Sequence, residues 1–417
     1  MRLGLEFSPP NPIFMKSIDL LNIIFLLLIL FPLSGCSNDG SLKKQPISTL
    51  EIKSTDTMLS NDNVDTLIES SDNSSQKIIS QYSETDSLNV QEALLSNYLI
   101  KYREIESKAG FVKIPAVKRI FSIGDTAFSI KLIKQFLFQT QDINIIDTTF
   151  VFDSVLLAGV QSFQSRMGYQ PNGKISKTII DEMNVPVTSR INQIVSNIEK
   201  FKVFNPKRFT NYLLVNIPEF KLHLIEDNQL LWSMKIIVGK TSHPTAEFEN
   251  QIQFVVFSPY WNVPRSILIN ELMPLINRNK KYLAMNHMEW VGDNIRQRPG
   301  PDNPLGLVKF LFPNRYNMYL HDTPAKSLFN QDKRTFSHGC IRIAEAKKLA
   351  EYLLKNEVEW SKIKIEDAMH AKVERFVKLK KPLPIFIAYF TSWVDEKGKL
   401  QFRKDIYKKE KKVKTLQ

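Results

Sequence analysis

Between Phe204 and Tyr212 the apolar pattern changes period, and no other feature of this 417-residue chain constrains its fold as much. Upstream, Ile130, Ile133 and Leu137 recur at helical spacing, as do Leu156, Val160 and Phe163, so each set marks one buried helix face. Gly168 and Pro171-Asn172-Gly173 are turn signals among helices that run from about Asn97 to Pro186, and 190–204 reads as a connecting helix. Downstream the pattern is that of strands. Residues 212–217 are β-rich, Phe220-Lys221-Leu222-His223-Leu224 alternates, Asp227-Asn228 turns, and 232–238 supplies the next strand. Further strands are expected at 253–257, 319–320 and 384–390, with helical interruptions at about 267–286 and 345–354. The expected fold class is α+β: a helical scaffold followed by a mainly antiparallel β domain carrying a helical insertion.

The N-terminal region reads differently. An unbroken apolar run from Ile23 to Phe31 is shorter than the ~20 residues that a spanning helix needs, and it ends in Leu33-Ser34-Gly35-Cys36. This resembles a bacterial lipoprotein signal with its lipobox. The resemblance implies cleavage before Cys36, lipidation of its sulfur, and a membrane tether facing the periplasm, at the outer membrane in preference to the inner. Met15-Lys16 is the better start for such a signal. From 37 to 87 Ser, Asp, Asn and Thr dominate, which predicts a disordered spacer with a reach of about 40 Å. The net charge of +13 is scattered, with a concentration in the tail from Lys408 to Lys414 and no interleaved aromatics. It predicts a solvated basic surface and no nucleic-acid partner. The expected divisions are 1–36 signal, 37–90 tether, 91–187 helical module, 188–209 connecting helix, 210–407 β domain with its insertion at about 265–302, and 408–417 tail.

The chain has two cysteines. With Cys36 lipidated, Cys340 stands alone in an exported protein, where an idle thiol is a liability. It lies in Ser337-His338-Gly339-Cys340, with His321 upstream after Asn317-Met318-Tyr319-Leu320. A thiol is mostly protonated at neutral pH, so a nucleophilic cysteine needs a base, and either histidine suits that exchange. Gly339 permits a tight turn and close approach of a carbonyl to main-chain N–H groups. A helix starting near Glu345 lowers the thiol pKa if its N-terminus points at Cys340. The histidines lack a third ligand at metal-binding spacing, so neither metal nor cofactor is expected.

Two resemblances complete the reading. Phe152-Asp153, Val160-Gln161-Ser162-Phe163-Gln164 and Asn172-Gly173-Lys174-Ile175 resemble the repeat of three-helix peptidoglycan-binding domains, which implies a wall-binding module. Ser337-His338-Gly339-Cys340-Ile341-Arg342, with His321-Asp322-Thr323, closely resembles the active-site signature of L,D-transpeptidases. Ser258-Pro259-Tyr260-Trp261-Asn262-Val263-Pro264, Asn303-Pro304-Leu305-Gly306 and Phe312-Pro313-Asn314 agree with it, and the likeness covers about 95–407. It points to the large murein type, with a peptidoglycan-binding module and a helical cap. It implies Cys340 as nucleophile, His321 as proton acceptor and donor oriented by the main-chain carbonyl of Asp322, and His338 in support. Gly339 then belongs to the oxyanion region, and Arg342 and Ser337 to substrate binding. The implied reaction joins peptidoglycan stem peptides by 3→3 cross-links through a thioester, releasing D-alanine. Hydrolysis or amine exchange at the same site, or a lipid-tethered anchor without catalysis, are the alternatives. The insertion is expected to gate substrate entry.

Overall fold

The computed structural model describes residues 90–410 except 205 and 207. The expected signal, Cys36, nearly all of the spacer and residues 411–417 lie outside the described residues. The chain divides into Met1–Asn63 and Val64–Gln417, and every described residue belongs to the second unit.

Five α-helices open the described chain: α1 (Gln91–Ser107), α2 (Phe128–Gln139), α3 (Ser154–Arg166), α4 (Lys177–Met183) and α5 (Val187–Val203). The apolar sets read from the sequence form the contact faces of α2 and α3, with Ile130, Ile133, Leu137, Leu156, Val160 and Phe163 all fully buried. Asp153 caps α3 by accepting the Leu156 N–H at 2.8 Å. The paired glutamine and Asn-Gly serve the fold. Gln164 Nε2 donates to Asn172 Oδ1 and to the Lys174 carbonyl, and Gln164 Oε1 accepts the Gly173 N–H, so one buried amide holds the turn. Gly173 is needed there because its φ is +71° and a Cβ would come 2.2 Å from Leu157 Cδ1. Deeper in the module, Arg166 grips Asp142 through Nε and Nη2, and both side chains are buried.

The segment expected to be a connector is a seam of the core. Ile191, Ile194, Ile198 and Phe201 of α5 are buried in one cluster with Tyr212, Leu214, Phe386, Phe390 and Phe402 of the β-rich part. Phe201 stacks on Phe390 at 4.1 Å, and Asn197 exchanges hydrogen bonds with Thr391 through its amide. The helical module is therefore fastened to the β domain along its last helix.

The strands are β1 (Tyr212–Asn216), β2 (Lys221–Glu226), β3 (Gln229–Gly239), β4 (Phe248–Phe257), β5 (Trp261–Asn262), β6 (Met288–Val291), β7 (Asn294–Gln297), β8 (Val308–Leu311), β9 (Tyr319–His321), β10 (Thr335–Ser337), β11 (Ile341–Ile343), β12 (Arg375–Ala388), β13 (Ser392–Val394) and β14 (Leu400–Phe402). The main sheet runs β10-β3-β11-β9-β8-β4-β12-β1-β2, and a β2–β3 pairing closes it on itself. Most pairs are antiparallel, as expected; β1–β12, β3–β10 and β9–β11 are parallel. Helices α6 (Ala346–Leu353) and α7 (Lys362–Met369) pack on the same core through Leu349, Ala350, Ile365 and Ala368.

The insertion is not purely helical. After Arg265–Ile267, a π turn at Leu268–Leu272, Met273–Arg278 and Tyr282–Met285, it forms a small sheet in the order β5-β7-β6. Val263, Leu268, Leu272 and Ile295 give it a separate core.

The Arg166–Asp142 pair sets the first prediction. Truncating one partner leaves a buried charge unpaired, so Arg166→Ala should lower unfolding free energy by about 3–5 kcal/mol, whereas the double change Asp142→Leu with Arg166→Met should cost far less. Urea unfolding of the three proteins measures this; equal losses in both would contradict it.

Candidate active site

The site arises from the parallel pairing of β9 with β11, in which Leu320 faces Ile341 and His321 faces Arg342. Side chains alternate along a strand, so Leu320, Ile341 and Ile343 enter the core, where each is fully buried. Tyr319 and His321 project from the opposite face, and so do Cys340 and Arg342. Lys309 of β8 is the cross-strand partner of His321 and extends the same face.

The loop before Cys340 is held by its own polar groups. Gly339 has φ of +116°, a conformation that other residues rarely adopt. Ser337 Oγ accepts the Gly339 N–H at 3.2 Å and donates to the Cys340 carbonyl. Thr245 Oγ1 donates to the Gly339 carbonyl at 2.9 Å and accepts the Gly239 N–H, while Tyr407 Oη donates to the Gly239 carbonyl. Two expectations change here. Ser337 is buried with its hydroxyl spent on the turn, so it positions the cysteine and does not face a substrate. The Gly339 N–H is likewise engaged, which removes it as an oxyanion donor in this conformation.

His321 is buried, and its Nδ1 lies 2.5 Å from the Asp322 carbonyl oxygen, the contact that the resemblance implied. That contact fixes the proton on Nδ1 and leaves Nε2 as the acceptor. Asp322 is itself locked: its carboxylate accepts the Leu307 N–H at 3.0 Å and pairs with Lys326. The carboxylate sits against Gly306, where a Cβ would come 2.4 Å from Asp322 Oδ2. The glycine of Asn303-Pro304-Leu305-Gly306 thus makes room for the residue that orients His321.

Burial pushes the His321 pKa down to about 3, with the nearby Arg342 charge adding to the effect and the Asp322 carbonyl opposing it. Imidazole is therefore neutral near pH 7. Burial also pushes the Cys340 thiol up, against hydrogen bonds from the Tyr319 main chain and side chain and against the Arg342 charge. The thiol donates to the Asn317 carbonyl at 3.8 Å, and no hydrogen bond joins it to an imidazole nitrogen among the described residues. Tyr319, whose own pKa is raised first by burial and then by Cys340, was read from the sequence only as a strand residue. Its place two residues before His321 was the available signal. Arg342 is half-buried, and its buried Nε meets no hydrogen-bond partner.

His338 points elsewhere. Its Nε2 is 2.8 Å from Glu271 Oε1 on the π turn of the insertion, and its ring lies 5.4 Å from that of His243. It ties the cap to the cysteine loop. The expected aid from α6 is also absent, because the three residues of β11, at ~3.3 Å each, and two more separate Cys340 from the helix start. A helix dipole acts only within about its first turn.

Residues 210–365 match the family model described as the YkuD L,D-transpeptidase catalytic domain. A curated protein of Haemophilus influenzae, named "Putative L,D-transpeptidase", is 29% identical over 249 residues, covering 54% of this chain. The chain spans about half the length of that relative, 50%. Among solved structures, an L,D-transpeptidase from Mycobacterium smegmatis is similar at 14% identity over 43% of this chain and 58% of that one, with a TM-score of 0.25. One from Stackebrandtia nassauensis is also 14% identical, over 56% and 88%, with a TM-score of 0.26.

Neutral thiol beside neutral imidazole makes a testable pH signature. Alkylation of Cys340 by iodoacetamide, followed on its peptide by mass spectrometry, should keep rising with pH beyond 9, since the thiol is held above its ordinary pKa. A plateau reached by pH 6–7 would indicate a preformed thiolate–imidazolium pair and contradict this electrostatic picture.

Proposed function

We propose that this chain is a peptidoglycan L,D-transpeptidase that forms 3→3 cross-links through a thioester on Cys340. The observation that carries the reading is the shared face of Cys340 and His321 on paired strands, with His321 held through Nδ1 so that Nε2 is free. The family match over 210–365 supports it independently.

In this reading the cysteine side chain turns from the Asn317 carbonyl toward His321 Nε2, which takes the thiol proton as sulfur attacks. The carbonyl attacked joins the third residue of a tetrapeptide stem to its terminal D-alanine. Sulfur bonds to that carbon, the C–N bond breaks, and His321 returns the proton to the departing D-alanine amine. An amine of a neighbouring stem then attacks the thioester, gives up a proton through the same imidazole, and releases the thiol. Water in its place makes the site an L,D-carboxypeptidase. With the Gly339 N–H engaged, the Cys340 N–H is the remaining main-chain donor of the pair for the oxyanion.

Arg342 fits a substrate-binding role because its Nε is buried without an acceptor beside the thiol. A cavity of about 390 Å³ lined by Phe312, Asn314, Asn317 and Tyr319 adjoins the thiol's own partners and offers a path for a stem peptide. The cap gates this face through the Glu271–His338 contact. Wall binding by the helical module, and a lipid anchor at Cys36 that holds the enzyme at the membrane, belong to the same proposal. The anchor draws on the lipobox-like sequence, the module on its resemblance.

The histidines separate the roles. On purified tetrapeptide muropeptides, His321→Ala should lower kcat/KM for D-alanine release by about 10²–10⁴-fold, the usual worth of general acid–base catalysis. His338→Ala should retain most of the activity. The reverse pattern would overturn the assignment.

A further inference from the structure

Away from the Cys340 face, a cleft of about 690 Å³ opens where the turn after α3 meets the β domain. Its walls carry six cationic side chains: Lys221, Lys235, Lys333, Arg334, Arg403 and Lys404. They carry three acids, and two of these are already committed. Glu219 accepts from His223 at 2.9 Å and pairs with Lys221 at 3.1 Å. Asp405 accepts from the Tyr389 hydroxyl and from the Lys409 and Glu410 main-chain N–H groups. Asp332, exposed at the rim, is the remaining acid. Among the described residues Lys235, Lys333, Arg334, Arg403 and Lys404 form no ion pair.

The two arginines are built into the cleft. Arg334 is 8% exposed, lies over the Phe220 ring, and donates to three main-chain carbonyls, those of Ile236, Gln331 and Phe220. Arg403 lies over the Trp393 ring and donates from Nη1 to the Arg166 and Phe402 carbonyls, while its Nε and Nη2 meet no acceptor among the described residues. Gly168, at φ +80°, is shaped around it, since a Cβ would come 2.7 Å from Arg403 Cδ. Burial pushes both guanidinium pKa values down, against the charges of Asp332 and Glu219 near Arg334 and of Glu219 and Asp395 near Arg403, and among the described residues the hydrogen bonds of both arginines go to main-chain carbonyls. Holding cations out of water without a bonded counter-ion is costly, and the guanidinium fork suits a planar oxyanion.

We propose that this cleft is an oxyanion-binding site that takes a carboxylate or phosphate group of a ligand against Arg403 and Arg334, with Lys333 and Lys404 at its mouth. Arg334 immediately precedes β10, whose end, Ser337, holds the cysteine loop, so an occupied cleft braces the strand that leads to the active site. The inference rests on these residues and not on the transferase reading.

Calorimetric titration of the full chain with two probes tests it: inorganic phosphate, and a purified disaccharide-tetrapeptide muropeptide, whose anionic groups are carboxylates. At least one probe should bind, and its affinity should fall by about tenfold or more in Lys333→Ala/Lys404→Ala and weaken with added salt. Both lysines are exposed, so the unliganded melting temperature and the Cys340 alkylation rate should stay unchanged. Tighter binding of the muropeptide identifies a peptide carboxylate, and tighter binding of phosphate identifies a phosphate group. No binding of either probe, or binding undiminished in the variant, would overturn the proposal. Phosphate binding requires no turnover at Cys340, so this site and the transferase reading can fail separately.

Discussion

The parallel pairing of β9 with β11 is the constraint on which the site depends. It joins two short strands that are distant in sequence, and its register places Ile341 beside Leu320 and Arg342 beside His321. A slip of one residue would send Cys340 and Arg342 into the core and Ile341 to the surface. Three fully buried aliphatic side chains on one face therefore hold the functional side chains on the other. The remaining polar framework secures the two ends: Ser337 and Thr245 shape the cysteine loop, and Asp322 with Gly306 aims the imidazole.

Burial has opposite consequences for the two central groups. It drives His321 and Cys340 toward their neutral forms, so the resting site stores a base and an acid and not a charged pair. The charge of Arg342 lies close enough to raise the cost of an imidazolium and to favour a thiolate. The only thiol among the described residues therefore rests in its neutral form. The cap contact through Glu271 and His338 reaches the same loop.

Much of this was legible because it is local. Helical spacing of Ile130, Ile133 and Leu137, or of Leu156, Val160 and Phe163, reports a buried face directly, and the strand alternation from Phe220 to Leu224 does the same. Strands of three residues such as β10 and β11 escape any periodic reading, because their place comes from tertiary pairing. The hairpin of β6 and β7 was missed for a related reason: only Ile295 and Gln297 of its eight strand residues are buried, and its core is shared with the helical turns before it. Within the site, the motif pointed to Cys340 and His321 but could not say where hydroxyl and amide protons go. Ser337 and the Gly339 N–H were assigned to substrate and satisfy each other instead. His338 is adjacent to the loop glycine in sequence yet turns to the cap, and Tyr319, unremarked as chemistry, contacts the thiol.

The proposed reaction requires that Cys340 become acylated by a stem peptide with loss of its terminal residue. Intact-protein mass spectrometry during the first seconds of reaction with a disaccharide-tetrapeptide muropeptide tests it directly. The expected species is an adduct of the muropeptide mass less D-alanine, located on the Cys340 peptide and absent from Cys340→Ala. Release of D-alanine by Cys340→Ala at the rate of the unaltered protein, or an adduct on another residue, would contradict it.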